Sequence, residues 1–272
     1  MKRFVSLSLF VLILLSVGTL CFAANNYCSN CGQKLSPGSN FCPNCGAAIS
    51  STDGSTSSGD SSTKNSSSTD LYIGDVVIFG SYEQDNNRNN GKEAIEWIVL
   101  DTNTTNRTAL LISRYCLDCM EYNYKHKEIT WENCSLRSWL NSTFYSTAFS
   151  SAEQNQIAIS FVPADVNSKT GKSIGNDTYD SVFILNKSEV EAYFYDEYAR
   201  CAPTPYALAQ GADASEKYLV NGNAACWWWL RSPGLYSYDH AARVNSSGAI
   251  DEGGYSVSYS VGAIRPSIWV SY

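Results

Sequence analysis

Beyond residue 70 the chain is a series of short apolar runs punctuated by turn residues. LYIGDVVIFGSYEQ (71–84), EAIEWIVLDT (93–102) and RTALLIS (107–113) read as strands, with DNNRNNG (85–91) as the loop after the first. In SLRSWLNSTFYSTAF (135–149), Leu136, Trp139, Leu140 and Phe144 recur at helical spacing, which predicts a helix. Ser150 with Glu153 forms a capping-box pattern for a second short helix, and Ser188 with Glu191 does so for a third. DSVFILN (180–186) between them reads as a strand. CWWWLRS, AARVN, GYSVSYS and GAIRPSIWVSY follow between Gly, Ser and Asn turns as a late antiparallel set. The expected class is α+β, with a mixed or antiparallel sheet and two or more helices.

Strand alternation assigns sides within the late runs. It places Trp227, Trp229 and Arg231 on one face of WWWLR and Trp228 and Leu230 on the other. Trp228 and Leu230 are then core, Arg231 an anchor that pairs with a carboxylate, and Trp227, at the strand edge, a candidate for ligand contact. In YSVSYSV the same period sets Tyr255, Val257, Tyr259 and Val261 on one face and the serines on the other. Gly234–Gly262 is dominated by Gly, Ser, Tyr and Asn. That composition suits a binding surface, because Tyr supplies rigid amphipathic area and the small polar residues supply adaptable hydrogen bonds. Tyr236, Tyr238, Asp239, His240, Tyr255 and Tyr259 join Trp227 as ligand-contact candidates; an ordinary hairpin set with polar turns is the alternative.

The first 70 residues are built differently. Residues 1–24 carry Lys2 and Arg3, an apolar run over 4–22 and small residues at Cys21 and Ala23, the pattern of a signal peptide or an N-terminal membrane anchor. Either form leaves the rest of the chain outside the cytoplasm, secreted or tethered through residues 4–22. Residues 25–49 hold two Cys-x-x-Cys pairs, Cys28/Cys31 and Cys42/Cys45, each followed by Gly. Paired thiolates at this spacing converge on one tetrahedral ion, which predicts a zinc ribbon; two disulfides are the alternative. Residues 50–70 are a Ser/Thr-rich flexible linker.

Composition bounds the function. Hydrophobic residues make up 44% and charged residues 17%, enough for one sizeable core. Net charge is −7, and the acidity belongs to residues 71–272, where 23 Asp/Glu stand against 15 Lys/Arg. Nucleic acid is excluded as a partner, because phosphate binding needs a basic surface.

Motifs for chemistry are sparse. Asp85, Asn87, Asn89 and Glu96 occupy positions 1, 3, 5 and 12 of a calcium-type loop, but Gly91 falls one residue late and strands flank it, so a hairpin turn is the default. His126 lies among charges as a surface residue, while His240 follows Asp239 in a step that could sit near Arg231. No Ser or Cys motif accompanies either histidine. Arg137 is expected to pair with a carboxylate and fix its helix to the sheet. Arg265, in the GAIRPSIW run, joins Arg137, Trp228 and Arg231 as a structural anchor.

Several stretches resemble an uncharacterised family of secreted bacterial domains often preceded by zinc ribbons. They are VIFGSYEQ (77–84), IEWIVLD (95–101), LLISRYCLD (110–118), TWENCSLRSWLN (130–141), WWLRSPG (228–234) and GAIRPSIW (262–269). A looser resemblance is to the C-type-lectin-like fold of formylglycine-generating, sulfatase-modifying enzymes. It implies a closing strand, GAIRPSIWV, beside DVVIFG, and late loops carrying the site. The oxidase activity needs a late cysteine pair, and Cys201 and Cys226 are not adjacent in sequence, which disfavours the enzyme reading. In an exported domain Cys116 or Cys119 could bridge to Cys134; buried free thiols are the alternative. The favoured function is an extracytoplasmic ligand-binding or interaction module whose late loops contact glycan or protein. A formylglycine-type enzyme and a structural cell-envelope protein are the alternatives.

Overall fold

The structure, a computed structural model, describes residues 70–272 apart from 168, 170 and 172–174. The expected signal or anchor segment, the four ribbon cysteines and the expected linker up to residue 69 lie outside the described residues. Among the described residues no helix is long and apolar enough to cross a membrane.

The three opening runs form strands as expected: β1 (Val76–Tyr82), β2 (Glu93–Asn103) and β3 (Thr108–Ser113) make an antiparallel meander. In β2 the inward set Ile95, Trp97 and Val99 is fully buried, and the Trp97 indole N–H donates to the Phe79 carbonyl at 2.7 Å. After β4 (Asp118–Cys119) come α1 (Ser135–Trp139), a π turn over Leu140–Phe144, and α2 (Tyr145–Ala148). These three form one amphipathic rod rather than the uniform helix that spacing predicts. The irregularity falls at Asn141. Its side-chain N–H donates to the Arg137 and Val182 carbonyls, and its oxygen accepts from the Ser181 and Val182 amides, tying the rod to a crossing segment.

The expected capping box at Ser150 and Glu153 opens α3 (Ser151–Gln154). Two short pairs follow in sequence: β5 (Ile157–Ala158) at the edge of the first sheet, and β6 (Ser160–Val162) with β7 (Thr178–Asp180) as a separate ribbon. DSVFILN does not form the expected strand. It is buried and makes one bridge, Phe183 with Ser267, because the Val182, Ile184 and Leu185 carbonyls are taken by Asn141 and Arg231. The next helix, α4 (Lys187–Tyr193), is capped two residues earlier than expected, by Asn186 and Glu189 rather than Ser188 and Glu191. Both pairs fit the sequence pattern, but Glu189 is fixed by Arg231, and that fixes the cap.

α5 (Pro205–Ala209) leads to the hairpin of β8 (Ala214–Val220) and β9 (Asn223–Cys226). Then come β10 (Trp228–Pro233), β11 (His240–Val244), β12 (Ile250–Ser256), β13 (Ala263–Ile264) and β14 (Ser267–Ser271). The first sheet runs β1-β2-β3-β14-β5 and the second β12-β11-β10-β13-β4. Every pairing is antiparallel except β10 with β13. One continuous core joins both sheets and the helices. The fold is therefore mixed α+β with mostly antiparallel sheets and few helices. The closing strand departs from expectation: β14 lies between β3 and β5, whereas β1 stands at the sheet edge, paired only with β2. Four buried apolar positions in β3 (Ala109–Ile112), followed by buried Ser113, suit a strand inside the sheet, and β14 supplies the backbone partner on its second edge.

Candidate ligand-binding surface

The tryptophan run does not behave as a single alternating strand. The chain changes pairing partner at Trp227, since β9 ends at Cys226 on β8 and β10 starts at Trp228 between β11 and β13. All of Trp227–Arg231 is buried, so the expected exposed edge for Trp227 is corrected. β10 sits in the middle of its sheet with structure on both faces. The indole N–H groups of Trp228 and Trp229 donate to the Ala199 and Met120 carbonyls at 3.0 Å, whereas that of Trp227 has no protein partner. Gly262 is dictated by Trp229: a Cβ there would stand 1.9 Å from its indole nitrogen.

Trp227 is the floor of an aromatic cluster. Its ring meets Trp229 at 4.8 Å and Tyr255 at 5.4 Å, both edge-on, and lies nearly parallel to Tyr259 at 6.4 Å. Tyr255 and Tyr259 touch each other at 5.0 Å and are 38% and 49% exposed. The Arg243 guanidinium lies 3.7 Å over the Tyr255 ring and donates to Asp251 at 3.0 Å. Val257 is not on the tyrosine face as alternation predicts. β12 ends at Ser256, and the Val257 backbone bonds inward to Asp239 and Asn123, which buries its side chain.

The second gathering of predicted residues is at Asp239. His240 Nδ1 lies 2.8 Å from one carboxylate oxygen and His126 Nε2 lies 3.2 Å from the other, so both histidines of the chain converge on one acid. The Ser237 hydroxyl donates to the same carboxylate. Hydrogen bonds from Ser237 and His240 hold the Asp239 carboxyl below its usual range. His126 is exposed, as expected, but its Nδ1 is also within 2.9 Å of the Ser256 hydroxyl, a link that sequence distance hides. Tyr236 is 75% exposed under the Lys169 ammonium, at 4.6 Å, while Tyr238 is half-buried and its carbonyl accepts from the Ile129 amide.

His240 and Arg231 line one narrow cleft with Thr130, Trp131 and Asp165, so the Asp-His step does sit near Arg231. The cleft is almost filled, with a free volume of about 10 Å³, too little for a sugar ring or a peptide. A wider groove of about 580 Å³ runs between α4 and the β11–β12 turn, past Glu191, Phe194 and Ile250; no motif in the sequence marks it.

The anchors are paired as follows. Arg231 is 2% exposed and forks onto Glu189 with contacts of 2.5 and 2.7 Å, also donating to the Ile184 carbonyl. Arg137 donates to the buried Asp180 at 2.7 Å, which also accepts from Trp131 and Thr178. Arg265 is buried against carbonyls of Ser113 and Ala199 and the rings of Phe194 and Trp228, with no carboxylate partner among the described residues. Trp228 is core.

Two alternatives raised by the sequence, a calcium-type loop and a disulfide to Cys134, are not formed among the described residues. The calcium-type loop does not assemble: Glu96 pairs with Arg114 at 2.7 Å, and the Asp85 and Asn87 side chains bond back to the loop's own amides. The carboxylates that approach Asp85 are Glu83 and Glu93, both already accepting backbone N–H groups. The bridge from Cys116 or Cys119 to Cys134 is also absent, since all five cysteines of the described residues are buried free thiols. Cys134 caps α1, accepting from the Arg137 amide at 3.4 Å. Cys201 and Cys226, far apart in sequence, face each other across an antiparallel bridge.

A zinc-ribbon domain model matches residues 27–49, and a model described as a domain of unknown function (DUF6273) matches residues 106–272. No curated protein and no solved structure matches the chain. β1 and β2 precede the matched stretch yet complete its first sheet. A zinc ribbon thus precedes a second domain whose model covers more than half of the chain, and the chain belongs to the DUF6273 family, a domain of unknown function.

Proposed function

We propose that residues 71–272 form an extracytoplasmic ligand-binding module whose contact surface is the Tyr255–Tyr259–Arg243 patch. The carrying observation is that two half-exposed tyrosines rest on a buried tryptophan with an arginine–aspartate pair beside them. Their rings are held by packing rather than free to rotate, so little side-chain entropy is lost on binding. Aromatic faces stack on the apolar faces of sugar rings, and a paired Arg and Asp bond vicinal hydroxyls. That chemistry favours a glycan over a protein as the ligand. A C-type-lectin-like build is part of the proposal; what supports it is one sheet shared by the first and last strands and a second sheet carrying the late loops.

The tether and ribbon complete the reading. The positive start and apolar run of residues 1–24 export the chain, and Cys28, Cys31, Cys42 and Cys45 hold zinc. Four thiols in two Cys-x-x-Cys pairs suit a tetrahedral ion as a donor set, and the ribbon match supports that metal.

The test is a broad glycan array read with wild type, Tyr259→Ala and Arg243→Ala, alongside a pull-down from surface-protein extracts. A stacking contact of about 0.5–1.5 kcal/mol predicts a roughly twofold to twelvefold loss for Tyr259→Ala. Binding in the pull-down alone, lost in the variants, would move the ligand class to protein. Variants indistinguishable from wild type in both assays would remove the patch as the contact surface.

A further inference from the structure

We propose that Cys116 is the pivot of a disulfide, forming it with Cys201 or with Cys226 as the chain folds. The three thiols come from three separate segments and are brought together by the backbone. The Cys116 amide donates to the Ala202 carbonyl at 3.0 Å, and Cys116 bridges to Pro203. The Cys226 amide donates to the Cys201 carbonyl at 2.9 Å, and those two residues form an antiparallel bridge. The Cys116 thiol lies in hydrogen-bonding contact with both the Cys201 and the Cys226 thiols, which places it to reach either partner. Cys201 and Cys226 form a hydrogen-bonded pair across their bridge, and their own sulphurs bond to carbonyls, Cys226 to that of Cys201 and Cys201 to that of Arg114. The Cys119 and Cys134 thiols bond elsewhere, to the Ser260 carbonyl and from the Arg137 amide.

The timing follows from burial. Once the core has closed, burial pushes the Cys116, Cys201 and Cys226 thiols above their ordinary range, although Arg265 favours a thiolate at all three. Exchange therefore belongs to a stage at which the three segments have met and water still reaches them. The oxidant is a low-molecular-weight disulfide such as glutathione disulfide. The Cys116 thiolate attacks it, forming a mixed disulfide and releasing one glutathione thiolate. A thiolate at Cys201 or Cys226 then attacks the Cys116 sulphur and releases the second. Two electrons pass from the protein sulphurs to glutathione, two protons go to the departing thiolates, and one protein thiol of the three remains.

The experiment refolds the full chain with zinc in a glutathione redox buffer, quenches it by alkylation in denaturant, and maps the peptides by mass spectrometry without reduction. The expected product joins the Cys116 peptide to that of Cys201 or Cys226, with Cys119 and Cys134 alkylated. Cys201→Ser should keep the link to Cys226, Cys226→Ser the link to Cys201, and Cys116→Ser should show neither. Alkylation of all three thiols in the wild type overturns the proposal, as does a Cys201–Cys226 link or a link from Cys116 to any other cysteine. Because Cys116→Ser may fail to fold, the two single-partner variants carry the test independently.

Discussion

Glu189→Ala removes the acid of the Arg231 anchor and, with it, the capping-box contact to the Asn186 amide. The guanidinium is 2% exposed and its two terminal nitrogens contact Glu189 at 2.5 and 2.7 Å, so removing the acid leaves a buried cation with only the Ile184 carbonyl as a partner. Breaking a buried pair costs roughly 3–5 kcal/mol. Glu189 keeps 29% of its side chain in solvent, so some water already reaches the pair and the lower end, about 3 kcal/mol, applies. At ~2–4 °C per kcal/mol for a domain of this size, Tm should fall by roughly 6–12 °C. Glu191→Ala is the control: it breaks only the exposed contact with Lys187 at 3.5 Å, worth less than about 0.5 kcal/mol. Thermal and urea unfolding followed by tryptophan fluorescence reads both, since Trp228 and Trp229 are core. Arg231→Met added to Glu189→Ala should recover part of the loss, because the uncompensated charge leaves with it. The reasoning fails if Glu189→Ala is no less stable than Glu191→Ala, or if the double variant is worse than Glu189→Ala alone.

Gly262→Ala should lower the urea midpoint sharply, by an overpacking cost of about 1–3 kcal/mol or more, because its Cβ would stand 1.9 Å from the Trp229 indole nitrogen. Asp239 is held below its ordinary range, so the stability it adds is present above the unfolded carboxylate value of about 3.9 and fades as pH falls through the lower folded value. Hydrogen exchange of the amides around 237–240 should accelerate below about pH 4 in wild type and already be fast at neutral pH in Asp239→Asn. Burial pushes the Cys119 and Cys134 thiols up to about 12, so at pH 8 the native protein should alkylate there roughly a thousandfold more slowly than unfolded chain. Zinc titration of the full chain should saturate at about one ion, with Cys28→Ser abolishing binding and leaving the unfolding of residues 71–272 unchanged.

What the sequence discloses about this molecule tracks the range of the interaction concerned. The β1–β3 meander, the amphipathic rod and the Ser150 cap rest on patterns a few residues long, and each appears where its pattern lies. The cap of α4 was ambiguous locally, because Asn186/Glu189 and Ser188/Glu191 both satisfy it, and the choice was made 42 residues away by Arg231. DSVFILN looks like a strand because buried extended backbone and a sheet strand share one composition. Only the identity of the groups bonding its carbonyls separates them, and those groups are side chains from distant segments. The proposed contact surface shows the same limit from the other side. Tyr255 and Tyr259 were legible as surface tyrosines, yet alternation would have made Val257 their neighbour and Trp227 an exposed edge. The β12 strand stops at Ser256 and the pairing partner changes at Trp227, so a period of two carried through either point miscounts the faces. Arg243, which covers Tyr255 and holds Asp251, drew no notice, because AARVN has a strand's composition and nothing in it announces a ring 12 residues on. Residues gathered at strand ends, as Trp227, Tyr255 and Tyr259 are, are therefore harder to read than the strands themselves, since their placement depends on where periodicity breaks.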